Sequence, residues 1–288
     1  MENFRWRWTV AGLNDGVIWI AVGFFFKCCL ADNLANYFDG TSSTNAYLVW
    51  LANVVFGLRI YYDFAGYSLI ALGIAACLGV KLTLNFASPY CATSVAEFWR
   101  RWHITLSQWF RDYLYIPLVG GRVRWWAVNI LVVFVVSGVW HGAGWNFLLW
   151  GAVHGFYLII NRVIGGKISW PAVCGWIATM LGAFFSWLCF YEVRPDILFA
   201  KMACLFGPAN YSAAALREMI QHWPANQWIV FGGFFALSTL VLIFEWLSIR
   251  WRQEPFYYLR RPWVVVVLIL LTVWLAPGEN NGFIYFAF

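Results

Sequence analysis

The sequence predicts an all-α polytopic membrane protein of about seven or eight transmembrane or re-entrant helices, with interfacial amphipathic helices between them. Three observations predict it. Charged residues make up only 11% of the 288-residue chain, against roughly 25% in soluble domains. Hydrophobic residues reach 62% and gather into runs at about 16–31, 46–80, 125–140, 145–160, 170–190, 227–247 and 263–276, separated by breaks rich in Gly, Pro, Asn or charge. Aromatic residues reach 21%, and 21 of them are Trp, whose ring is favoured where one end meets lipid and the other meets water. A soluble globule, a disordered chain and a disulfide scaffold are excluded. The whole chain, 1–288, reads as a single membrane domain.

Each element follows in order. The N-terminus, Met-Glu-Asn-Phe-Arg-Trp-Arg-Trp, lacks the apolar stretch and cleavage site of a signal peptide, so the run at 16–31 is expected to stay in the membrane. The run at 46–80 exceeds one crossing and falls short of two. It carries Arg59 and Asp63 near its middle, four apart, so on a helix they are expected to face and neutralise one another. Segment 97–114 holds five formal charges in eighteen residues and cannot span. Its Phe98, Trp102, Leu106, Trp109 and Tyr113 recur at spacings of three and four, which predicts one apolar face on an interfacial helix or one dipping into a polar cavity. Pro117 and Gly120-Gly121 are expected to end it.

Orientation comes from the basic loops. Segments 97–124 (Arg100, Arg101, Arg111, Arg122, Arg124), 161–167 (Arg162, Lys167) and 248–262 (Arg250, Arg252, Arg260, Arg261) are expected on the cytoplasmic side. The hairpin 125–160 then leaves and returns, 170–190 crosses outward, and the balanced loop 191–226 lies outside. Run 227–247 crosses back, and 263–276 leaves the tail 277–288 outside. The formal net charge of +6 is explained by this bias; the bilayer is the partner it implies, and nucleic acid is not. The seven cysteines sit mostly in apolar runs without ligand spacing and read as packing residues. There is no P-loop, HExxH, GxSxG, CxxC or paired intramembrane carboxylate, so no bound cofactor and no metal is expected.

The chemistry therefore rests on histidine. His141 sits in Ser-Gly-Val-Trp-His-Gly-Ala-Gly-Trp-Asn (137–146), at a glycine-rich break between two apolar runs. An ionisable group at membrane depth is costly and points to function; an imidazole bonded to a nearby carbonyl, merely joining two helices, fits the residues equally. His103 on the interfacial segment, beside Arg100, Arg101 and Arg111, reads on residues alone as a solvated interfacial group, with a phosphate-binding basic face as the sharper alternative. His154 reads as a packing histidine and His222 as a loop residue.

Four stretches carry a resemblance: Arg-Ile-Tyr-Tyr-Asp-Phe-Ala-Gly-Tyr-Ser (59–68), Glu-Phe-Trp-Arg-Arg-Trp-His-Ile-Thr-Leu-Ser-Gln-Trp-Phe-Arg-Asp-Tyr-Leu-Tyr-Ile-Pro-Leu (97–118), Gly-Val-Trp-His-Gly-Ala (138–143) and Phe-Ile-Tyr-Phe-Ala-Phe (283–288). In this order the chain resembles the bacterial membrane-bound O-acyltransferases, in the branch of the alginate O-acetyltransferase membrane subunit. The resemblance implies transfer of an acyl group, here acetyl, from a cytoplasmic thioester through a tunnel to an outer hydroxyl in exopolysaccharide such as alginate. His141 would be the catalytic base and His103 the second catalytic histidine, on the cytoplasmic funnel. Arg100, Arg101, Arg111 and Trp99 would bind the donor, either acetyl-CoA or an acyl carrier protein. Asp63, Trp140, Gly142 and Asn146 would support the tunnel and its motifs. Phe283, Tyr285, Phe286 and Phe288 would dock an extracytoplasmic SGNH-type partner that passes acetyl to polysaccharide. The bacterial inner membrane is the implied location. The chain departs from the pattern at Leu69, Val119 and Ala287 and begins where family members are already midway. One half of a split enzyme, or a noncatalytic scaffold, is the alternative expectation.

Overall fold

The computed structural model describes residues 9–37, 45–119, 125–165, 171–278 and 282–283, and every extended element among them is helical. Among the described residues, five helices are long and apolar enough to cross a membrane, and two shorter apolar ones accompany them.

The first run starts earlier than its hydropathy suggests, as α1 (Val10–Phe24), capped by the Thr9 hydroxyl accepting from the Gly12 amide. It passes without a break into a π-helical stretch, Phe25–Ala31, and then α2 (Asp32–Ala35). The run at 46–80 is one helix, α3 (Ala46–Cys77), 32 residues long and therefore about 48 Å. Its length resolves the ambiguity of the sequence: one crossing overshoots the roughly 30 Å apolar slab. Helices α1 and α3 run antiparallel at backbone contact. A Cβ on Gly16 would meet the Gly73 carbonyl at 2.6 Å, and one on Gly23 would meet the Gly66 carbonyl at 2.7 Å.

The expected Arg59–Asp63 pair is replaced by a wider network. Asp63 lies 2.6 Å from the Lys27 ammonium, which also donates to Asp32 at 2.8 Å, and Arg59 is near enough for its charge to couple to both carboxylates. Four apart on one helix proved less decisive than the π stretch of the neighbouring helix. There the Asp32 amide donates to the Lys27 carbonyl, five residues back, and this winding brings residues i and i+5 onto one side.

Segment 97–114 departs most from expectation. It is two short helices, α4 (Val95–Arg101) and α5 (Ile104–Phe110), broken at His103, whose backbone is left-handed (φ 43°, ψ 56°). Phe98 and Trp102 are buried, whereas Trp109 and Tyr113 are exposed, so the five aromatic and aliphatic positions do not share one face. The kink supplies the reason, since it rotates everything after Trp102 out of phase. Nor does Pro117 stop the chain: a second π stretch, Arg111–Tyr115, leads into α6 (Ile116–Val119), which contains it. Wider winding before a proline accommodates its missing amide donor.

The rest builds the frame. Helices α7 (Trp126–His141) and α8 (Trp145–Gly165) form an antiparallel hairpin. They are followed by α9 (Ala172–Tyr191), the short α10 (Pro195–Phe206) and α11 (Ala213–Gln221), the long α12 (Ala225–Arg252), and α13 (Pro262–Leu275). Asn45, at the start of α3, donates to Ala215 and Glu218, and Tyr47 to the Tyr211 carbonyl. At the other end of α1 and α3, Arg260 pairs with Asp15 and packs on Trp19. The loops that charge assigned to opposite sides thus lie at opposite ends of α3.

Candidate active site around two histidines

The two motif histidines are brought together, each on a different kind of break. His141 is the last residue of α7. The turn that follows is pinned by contact between the two helices: a Cβ on Gly138 would sit 2.2 Å from the Phe147 carbonyl oxygen, and one on Gly142 2.3 Å from the Phe147 ring. Only hydrogen fits at either place, which explains the glycine-rich motif. The imidazole is then boxed by Trp140 and Trp150, both with centroids at 5.0 Å, and Phe190 at 5.3 Å, all edge to face. Asn146, buried beneath the turn, donates to the Cys189 carbonyl at 3.0 Å and ties α8 to α9.

His103 arrives from the opposite direction. Ser94 accepts from the Glu97 amide and Glu97 accepts from the Thr93 amide, a reciprocal cap that starts α4. Glu97 also holds Arg101 through two contacts of 3.0 and 2.7 Å, and Arg101 donates to the Ala87 carbonyl. Arg101, expected to bind a donor, is therefore engaged in locking this hairpin. Glu97 stays below the usual carboxylate range: burial opposes this, but hydrogen bonds from Thr93 and Arg101 outweigh it.

At the apex, Asn85 fixes the ring, a residue that motif reasoning missed. Its Oδ1 accepts from the Thr105 amide at 3.2 Å and hydroxyl at 2.9 Å and lies 3.2 Å from His103 Nδ1. A backbone amide can only donate, so this oxygen is an acceptor and Nδ1 carries the proton. The lone pair of His103 is on Nε2. Burial pushes the imidazole down to about 4, so it is neutral at pH 7. Its neighbours are Phe64 at 4.7 Å, edge to face, and Trp140 at 6.4 Å. Trp140 therefore touches both imidazoles, which stand one indole apart.

The other expected residues are distributed around this pair. Trp99 contacts Trp150 and forms, with Leu106, Ser107, Phe110, Arg111 and Ser137, part of the wall of a cavity of about 220 Å³. A second cavity of about 520 Å³, beside Asn146 and Trp145, lies against α10; neither wall includes an imidazole. Arg111 is 58% exposed and paired with Asp112 at 2.7 Å, and Arg100 is exposed. Asp63 belongs to the Lys27 network rather than to the histidines. Phe283 stacks on Tyr67 at 5.0 Å and meets Phe64 at 5.8 Å. A tail expected outside and a histidine expected on the cytoplasmic side thus share one phenylalanine. Tyr285, Phe286 and Phe288 lie outside the described residues. Among the described residues, no group of three His, Cys, Asp or Glu could hold a metal.

Such a site, two imidazoles set among indole and phenyl rings inside a helical bundle, can take a proton from a hydroxyl. The chain is also similar to proteins named as acyl-group transferases. The chain is 38% identical over 215 residues to the peptidoglycan O-acetyltransferase of Helicobacter pylori, covering 71% of this chain and 40% of that protein. It is 32% identical over 244 residues to the probable alginate O-acetylase AlgI of Pseudomonas aeruginosa, covering 82% and 46%. To the teichoic acid D-alanyltransferase of Streptococcus thermophilus it is 32% identical over 166 residues, covering 52% and 40%. The matches span less than half of each relative's length. The profile of the membrane-bound O-acyltransferase family matches residues 1–193, which hold both histidines and the rings around them, and the chain belongs to that family.

Proposed function

We propose that the chain carries the reacting histidine of an O-acyltransferase, moving an acetyl group from a cytoplasmic thioester to a hydroxyl destined for an extracytoplasmic polysaccharide. The observation that carries this reading is the pairing of His141 and His103 across Trp140. Helix α7 has 16 residues and reaches about 24 Å, short of a slab of about 30 Å. An imidazole at its end is therefore held within the membrane, where a thioester and a hydroxyl from opposite sides could meet.

The roles follow from the chemistry. His141 takes the proton of the acceptor hydroxyl as its oxygen attacks the thioester carbonyl carbon. The carbon–sulfur bond breaks, the ester forms, and the imidazolium returns its proton to the departing thiolate. His103, with Nδ1–H held by Asn85 and Nε2 bare, accepts a hydrogen bond. That suits an amide N–H of a pantetheine arm, which both acetyl-CoA and an acyl carrier protein possess. Arg100 is the exposed cation offered to a donor phosphate, Arg101 being held by Glu97 and Arg111 paired with Asp112 at the surface. The basic segments around them support a cytoplasmic placement. The inner membrane as the location and transfer through an SGNH-type partner belong to the same proposal.

The test is His141→Ala in the native full-length protein, with abundance measured by immunoblot and polysaccharide acetylation by mass spectrometry. Acetylation is expected to disappear at unchanged abundance. Persistence of acetylation would remove His141 from the chemistry.

A further inference from the structure

Beside His141 lies a second polar cluster that the proposed reaction does not use. His154 on α8 is 2% exposed and Trp150, one turn before it, 1%. Trp99 of α4 completes a triangle: Trp99–Trp150 5.7 Å, Trp99–His154 5.0 Å and Trp150–His154 4.9 Å between centroids. In each ring one nitrogen is enclosed and has no hydrogen-bond partner among the described residues: Trp99 Nε1, Trp150 Nε1 and His154 Nδ1. Buried polar atoms without partners are uncommon and costly. Three on rings that touch pairwise point to one common ligand.

The tautomer identifies the ligand's chemistry. Ser186 of α9 lies 2.7 Å from the Ala183 carbonyl, a separation that requires its hydroxyl proton to be donated there. Its oxygen, 2.8 Å from His154 Nε2, must then accept from that nitrogen. Nε2 carries the proton and Nδ1 of the neutral ring is an acceptor. The triangle therefore offers two N–H donors and one lone pair. A carbonyl oxygen would leave Nδ1 unsatisfied, and an ammonium would leave both indoles unsatisfied. A hydroxyl oxygen accepts twice and donates once.

We propose that Trp99, Trp150 and His154 together bind one hydroxyl oxygen, beside the Trp150 ring that packs on His141. Its source is either a water molecule or an acceptor alcohol; the second source rests on the acyl-transfer reading and the first does not. In both cases the bound oxygen joins α4, α8 and, through Ser186, α9 beside the imidazole.

The experiment is solid-state NMR on the full-length protein in lipid bilayers with ¹⁵N-labelled tryptophan, measuring magnetisation transfer from water. The two indole signals are assigned by their loss in Trp99→Phe and Trp150→Phe. Trp176, half-exposed with its Nε1 donating to the Tyr90 carbonyl, is the exposed reference. Early transfer to both enclosed indoles identifies a bound water. Two indoles dry at rest whose signals both shift on adding methanol identify an alcohol site. Both outcomes are independent of turnover, so loss of the His141 reading leaves them intact. If neither indole responds to water or methanol, or only one does, the shared oxygen does not exist. Because the transfer is read in the unsubstituted protein, a variant that fails to fold removes only an assignment.

Discussion

The two histidine-bearing breaks differ in how they are held. The α7–α8 turn is shaped by what is missing: glycines at 138 and 142 let the two helices close until carbonyl and ring occupy the space of a methyl group. The α4–α5 turn is shaped by what is added. His103 sits in a left-handed conformation that costs an ordinary residue about 1–2 kcal/mol, and Asn85, through its side chain and its carbonyl, holds the turn by accepting from Thr105, His103 and the Ile104 amide. One break is shaped by close packing, the other by hydrogen bonds. The Asn85 contact also fixes which nitrogen of His103 is bare.

The comparison can be broken in order of expected effect. Largest is His141→Ala, for which loss of a general base predicts a fall in acetyl transfer of roughly 10²-fold or more, read against protein abundance. Next is Gly138→Ala. Its methyl group meets backbone rather than a movable side chain, so the hairpin must open, at a cost of about 1–3 kcal/mol; a lower melting temperature in detergent, with transfer reduced in parallel, is the expected result. An unchanged melting temperature would show that α7 and α8 can separate freely. Asn85→Leu comes third. It leaves His141 in place but frees the His103 tautomer, so transfer should fall roughly tenfold, the equivalent of about 1.4 kcal/mol, with a raised KM for the thioester and little change in abundance. An effect confined to kcat would place His103 on the reacting atoms instead.

The smallest effect is on pH. The His103 imidazole is held at about 4 by burial, below its unfolded value near 6.5. Between these values the unfolded chain binds a proton that the folded chain does not, so stability falls as pH drops from about 6.5 to 4 and levels off below. His103→Gln should flatten that part of the stability profile. A slope identical to the wild type would assign it to other groups.

Much of this was legible from the sequence, and what was not has physical causes. Runs of apolar residues marked the spanning helices, and the basic loop 248–262 lies at the opposite end of α3 from loop 191–226. His141 was legible because a histidine flanked by glycines between apolar runs is unusual. The break at His103 was hidden, because Phe98 and Trp102 continue the helical spacing across it and nothing in Trp-His-Ile forbids a helix. Asn85 carried no signal in the mixed stretch that follows the 46–80 run; its four acceptor contacts exist only once residues 85 and 103–105 meet. The cap Ser94-Val-Ala-Glu97, passed over in the sequence, marks the start of α4. Lys27 was passed over as Asp63's partner because they are 36 positions apart and the π winding that aligns Lys27 with Asp32 leaves no trace in hydropathy.

That winding has a consequence for how the protein is made. A lysine left alone in the middle of a spanning helix resists insertion by about 2.5–3.5 kcal/mol. Here Lys27 reaches Asp32 within its own helix and Asp63 only on α3. Helix α1 can enter the bilayer with Lys27 and Asp32 neutralising one another, and Asp63 joins them when α3 packs alongside. Helices α1 and α3 are thus coupled through one shared charge.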